Sequence, residues 1–145
     1  MDEKNYEHRA INDIYKNAHI ALQSISDILP TASDEELKKE LKEQYEGYEK
    51  VIGKISSYMT EHGIEKKDIN PLKKAMLWSS IKMKTLMNNS RNQITEMMIK
   101  GTVMGINELT AMKNEEKNLP EEIRNLLLEL LSLEESYEQR LKRFL

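Results

Sequence analysis

Apolar residues recur at three-and-four spacing along most of the chain, in segments bounded by helix start and stop signals. That period winds one apolar stripe along a helix, whereas a strand needs a period of two. The pattern predicts an all-α chain. The first helix is expected from about Lys4 to Leu29, on the stripe Ile11, Ile14, Tyr15, Ala18, Leu22, Ile25, Ile28 and Leu29, with Pro30 as its stop. The second is expected from about Asp34 to His62, opened by a Ser33–Glu36 capping box. Its stripe is Leu37, Leu41, Tyr45, Tyr48, Ile52, Ile55 and Met59, and Gly63 with Ile64 supplies a left-handed C-cap and its apolar partner.

Asn70 and Pro71 start a further helical pattern that continues to about Asn114. As one helix it would span about 65 Å, against about 45 Å for the second helix, at 1.5 Å per residue. A break is therefore expected at Asn88–Asn89–Ser90, where Ser90 and Gln93 form another capping box. The last helix is expected from Pro120 to about Arg143, on Ile123, Leu127, Leu130, Glu134, Tyr137, Leu141 and Phe144. The most apolar long stretch, MMIKGTVMGINEL (Met97 to Leu109), carries Gly101 and Gly105 and reads as a central helix that its neighbours approach closely. Gly47 and Gly53, inside the second helix, are expected to mark close contacts of the same kind.

At 145 residues the chain is one domain, residues 1–145, able to bury roughly 68–70% of its unfolded surface. Cysteine is absent, which excludes disulfides, zinc-thiolate sites and cysteine nucleophiles. The charged start MDEKNYEHRA has no apolar run after it, so no secretory signal is read there, and no stretch approaches the ~20 apolar residues of a membrane span. A cytoplasmic protein is expected. Residues 1–70 are net acidic, with 10 Lys/Arg against 15 Asp/Glu, while residues 71–100 hold six bases and one acid. The basic stretch lacks a dense cationic face, so nucleic acid is not expected as a partner. The acidic surface of the first two helices, in the same subunit or another, suits it better.

A bundle of four long helices raises the question of a di-iron site, which needs inward carboxylates from two helices and Glu-x-x-His from the other two. None of His8, His19 and His62 has a glutamate three residues before it. The inward positions carry Tyr15, Tyr45, Tyr48, Glu134 and Tyr137 instead. Buried rings with hydrogen-bonded hydroxyls explain that set, and a small polar pocket is the second reading. Neither a metal nor a cofactor is expected. The methionines exceed what one stripe requires. Trp78, Met83, Met87, Met98 and Met104 form a candidate interface, with a two-fold homodimer as the default.

YKNA (Tyr15 to Ala18), the Gly63 turn, the Ser90 start, MMIKGTVMGINEL and LPEEIRNLL (Leu119 to Leu127) together resemble bacterial ferritin-like bundle proteins of a type common in clostridia. The resemblance covers nearly the whole chain and rests on packing motifs. It implies a ferritin-like four-helix bundle with an additional helical crossover, here Pro71 to Met87. Metal-binding relatives hold a glutamate after the first glycine of the third main helix, where this chain has Thr102, and a histidine near Tyr137 and Glu138. The expected role is thus non-catalytic, structural or in protein interaction, with no intact di-metal site. The alternative is a degenerate metal- or small-molecule-binding bundle.

Overall fold

The computed structural model describes residues 3–67 and 90–145, and among them all regular structure is helical. Helix α1 spans Glu3–Ile28 and runs into a 3-10 turn, Leu29–Thr31, that contains Pro30. Helix α2 spans Glu35–Glu61. Its cap is Asp34, one residue later than the Ser33 box predicts: Asp34 Oδ1 accepts from the Leu37 amide at 2.9 Å. A carboxylate makes the stronger, charge-assisted cap. Asp34 also faces Arg91 at 3.4 Å, and with Leu37 first and Arg91 after it, these contacts hold its carboxyl below the ordinary range. Gly63, at φ +62°, closes α2, and the Ile64 amide reaches back to Met59 O at 2.8 Å.

Helix α3 spans Arg91–Glu115. Ser90 is extended (φ −62°, ψ 154°) and its Oγ accepts from the Gln93 amide at 3.2 Å, so no single helix runs through the expected break. The expected crossover at 71–87 lies outside the described residues. Helix α4 spans Glu121–Lys142, with Pro120 as the cap itself and Glu121 and Glu122 in its first turn.

Side-chain contacts fix the helix directions. Asn12 of α1 bonds Glu65 O and the Lys67 amide just beyond α2, so these two helices are antiparallel. Arg140 pairs with Glu40 and Glu43, and Lys54 with Glu129, which sets α4 antiparallel to α2. Arg91 bonds Phe144 O while Gly105 packs on Glu134, which sets α3 antiparallel to α4. Helices α2 and α3 are therefore parallel, in an up-down-down-up order. The chain between Lys67 and Ser90 joins opposite ends of a bundle about 40 Å long at 1.5 Å per residue.

The predicted stripes of α1, α2 and α4 meet in one core: Ile11, Ile14, Leu37, Leu41, Ile55, Met59, Leu127 and Leu130 are fully buried. Each such side chain contributes about 1.5–3 kcal/mol relative to exposure. Helix α3 differs from its expected central role. Ile94, Met97, Met98, Leu109 and Met112 bury its two ends, but no residue from Ile99 to Glu108 is fully buried. Its apolar residues are spread around the helix rather than along one stripe, so one neighbouring face cannot cover them.

The glycines also divide. Gly47 and Gly105 lie against side chains of α4, whereas a Cβ on Gly53 or Gly101 would meet nothing within 4 Å. Gly53→Ala is therefore expected to stabilise the fold by about 1 kcal/mol, the full helix-propensity difference, in urea denaturation. A loss of stability would show a contact at Gly53 that the fold does not contain.

Candidate functional site

The four helices contribute to one buried polar layer near the middle of the bundle. Glu134 sits on the α4 stripe between Leu130 and Leu141, where helical spacing carries its side chain inward with theirs. It is 1% exposed, and neither carboxyl oxygen has a hydrogen-bond partner. Its carboxyl lies over Gly105 of α3: a Cβ there would stand 2.5 Å from Oε1. Asn17 of α1 donates from Nδ2 to Gly105 O at 3.2 Å, and its own Oδ1 is buried without a partner. From α2, Tyr48 meets Tyr137 of α4 edge-on, with ring centroids 5.4 Å apart. Gly47 leaves the space that the Tyr137 hydroxyl occupies.

Among the described residues no positive charge pairs with the Glu134 carboxyl. Burial, followed by the negative charge of Glu108, raises the Glu134 pKa to about 9. Glu134 is consequently a neutral acid at pH 7. Tyr48 is pushed well above its ordinary value by burial, then by Glu134 and Tyr137. Burial also raises Tyr137, against the opposing effect of Arg140.

The expected pocket set is brought together in part. Tyr48, Glu134 and Tyr137 belong to the layer. Tyr45 is half-buried against the apolar core. Tyr15 lies toward the other side of its helix, with its ring 5.6 Å from that of His19 and the Lys66 ammonium 5.8 Å from its centroid. Asn17 was not among the candidates, although its place beside Ala18 on the α1 stripe put it within reach of the core. The same holds for Glu40 and Gln44, which lie on the inward side of α2: Gln44 Nε2 donates to Glu40 Oε2 at 2.8 Å, and Arg140 reaches that oxygen at 2.9 Å. Two surface clefts of about 380 and 400 Å³ lie elsewhere, lined by charged residues such as Arg91 and Arg143 in one and Arg9 and Glu65 in the other.

The di-iron centre that a ferritin-like resemblance implies does not fit these residues. A ligating carboxylate must be ionised, whereas Glu134 lies among the Asn17 amide, the Tyr48 phenol and the Gly105 backbone. Among the described residues no group of three or more His, Cys, Asp or Glu side chains could hold a metal. Thr102 donates to Met98 O on its own helix at 2.8 Å, and Glu138 pairs with Lys142 at 3.1 Å. His62 stacks on Tyr58 with centroids 4.0 Å apart.

Of the candidate interface, Met104 is 62% exposed, while Met98 is buried in the core because it faces inward at the first turns of α3. Trp78, Met83 and Met87 lie outside the described residues. Arg91, from the basic stretch, finds its acidic partners within the chain, at Asp34 and at Glu36, 3.8 Å away. Among the described residues no helix is long and apolar enough to cross a membrane. No family model, curated protein or solved structure matches the chain.

Proposed function

We propose that this is a non-catalytic, ferritin-like helical bundle of the bacterial cytoplasm that works through protein contacts and forms a homodimer. The observation that carries the non-catalytic reading is the lone neutral carboxyl of Glu134, facing Gly105, Asn17 and Tyr48 where a di-metal bundle needs several ionised carboxylates. The up-down-down-up order with one end-to-end connection supports the ferritin-like assignment. Elemental analysis of protein from iron- and manganese-supplemented culture is expected to find no stoichiometric metal. About two ions per chain, lost on Glu134→Ala, would overturn the reading.

Self-association is supported by the apolar middle of α3, where Met104 is exposed and Ile99, Val103 and Ile106 are incompletely covered. A second copy suits this face because the basic 71–100 stretch and the acidic 1–70 half are complementary. Light scattering is expected to report a dimer at tens of micromolar, weakened by high salt and by Met104→Lys. A monomer at low and high salt alike would end the dimer proposal and leave the metal result standing. The second reading, a small-molecule binder, draws on the unpartnered oxygens of Asn17 and Glu134, which a hydrogen-bond donor could satisfy.

A further inference from the structure

We propose that Glu134 is a proton-dependent latch on α3: its protonated carboxyl lets α3 close over it at Gly105, and its ionisation parts the middle of α3 from α4. The geometry of the layer carries this. Glu134 is 1% exposed and has no ion-pair or hydrogen-bond partner. None of the groups that face it from the four helices can neutralise a negative charge. Helix α1 presents Asn17, whose amide hydrogen is already given to Gly105 O. Helix α2 presents the phenol of Tyr48, against which Tyr137 of α4 packs with its own hydroxyl turned to Gly47, and α3 presents the carboxylate of Glu108.

An ionised Glu134 must therefore reach water, and an unpaired buried carboxylate cannot persist in place. The cover over the carboxyl is the middle of α3, which packs closely on α4 at Gly105 but contributes few buried side chains there. This helix is anchored at its ends by Ile94, Met97, Met98, Leu109 and Met112, but across Ile99–Glu108 it buries no side chain fully. Parting α4 from α2 would break the Lys54–Glu129 pair and the Arg140 pairs with Glu40 and Glu43, whereas the middle of α3 holds no such pair to α4 among the described residues. The carboxyl lies directly over Gly105, so displacement of α3 by a few ångströms uncovers it. With the proton affinity raised to about 9, opening is favoured progressively as pH climbs toward that value and levels off above it.

Hydrogen–deuterium exchange of α3 peptides, read by mass spectrometry at pH 7.5 and 9.5, tests the latch. Each wild-type rate is divided by the Glu134→Gln rate at the same pH, which cancels the intrinsic pH dependence of exchange. Between these pH values wild-type peptides covering 99–108 are expected to lose on the order of tenfold in relative protection, while peptides of α1 and α2 keep theirs. Equal loss in wild type and Glu134→Gln, or loss spread evenly over all four helices, would overturn the proposal. Glu108→Gln, at an exposed position, gives a second measurement that does not depend on Glu134→Gln folding. Removal of that negative charge makes Glu134 easier to ionise, so the opening is expected to shift to lower pH. A midpoint that does not move, or moves upward, counts against the latch.

Discussion

Glu134→Gln is expected to flatten the pH dependence of global stability between about pH 4.5 and 9. In the unfolded chain this carboxyl titrates near its ordinary 4.5, and in the bundle near 9. Over that window the unfolded state releases a proton that the folded state keeps, so the folded state loses ground as pH rises. The contribution of Glu134 is fully present below the unfolded value and is lost as pH climbs through the folded one. The slope is about 1.4 kcal/mol per pH unit. Glutamine has nothing to titrate, so its stability relative to wild type should rise by about 3 kcal/mol between pH 5.5 and 7.5. Urea denaturation of both proteins at the two pH values measures this, and parallel profiles would show that Glu134 is solvated or paired. The same proton linkage drives the local opening of α3, which grows as pH climbs toward 9 and levels off above it, so the two experiments report on one titration at two scales of unfolding.

Gly47→Ala is expected to destabilise the fold by about 1–3 kcal/mol, although alanine in an open helix position stabilises by about 1 kcal/mol. The new Cβ would collide with the Tyr137 hydroxyl and lie 3.0 Å from Cζ, and the ring cannot retreat because its edge is packed against Tyr48. Tyr137→Phe removes the colliding atom. Cζ stays 3.0 Å from the new Cβ, so in that background Gly47→Ala should still cost a little, with a double-mutant coupling of about 1–2 kcal/mol. Additivity within about 0.5 kcal/mol would show that the hydroxyl does not fill the space over Gly47. The pair differs from Gly53 on the same helix, where the alanine substitution has only the propensity gain.

Helix positions and ends are local properties, and they were legible along the chain. The stripes of α1, α2 and α4, the Gly63 cap and the Ser90 break depend on spacing within a few residues and on single hydrogen bonds to nearby amides. The start of α2 lies one residue later than the Ser33 box, at Asp34, whose carboxylate accepts from the Leu37 amide and also meets Arg91. The candidate site was half legible. Tyr48, Glu134 and Tyr137 share inward faces by spacing alone, but Tyr15 sits at a stripe margin, and only the rotation of α1 against its neighbours sends Asn17 rather than Tyr15 into the polar layer.

The roles of the glycines and the burial of α3 could not be read locally. Each of Gly47, Gly53, Gly101 and Gly105 is a helical glycine in sequence, and what separates them is whether a side chain of α4 lies over that position. The apolar richness of Met97 to Leu109 likewise promised burial, yet burial needs a facing surface, and apolar residues distributed around a helix cannot all find one. The neutral state of Glu134 is the clearest case. A glutamate on an apolar stripe says that the side chain enters the core, but its proton affinity depends on what four separate helices bring to meet it. Here they bring an amide, a phenol and a second carboxylate, and no positive charge.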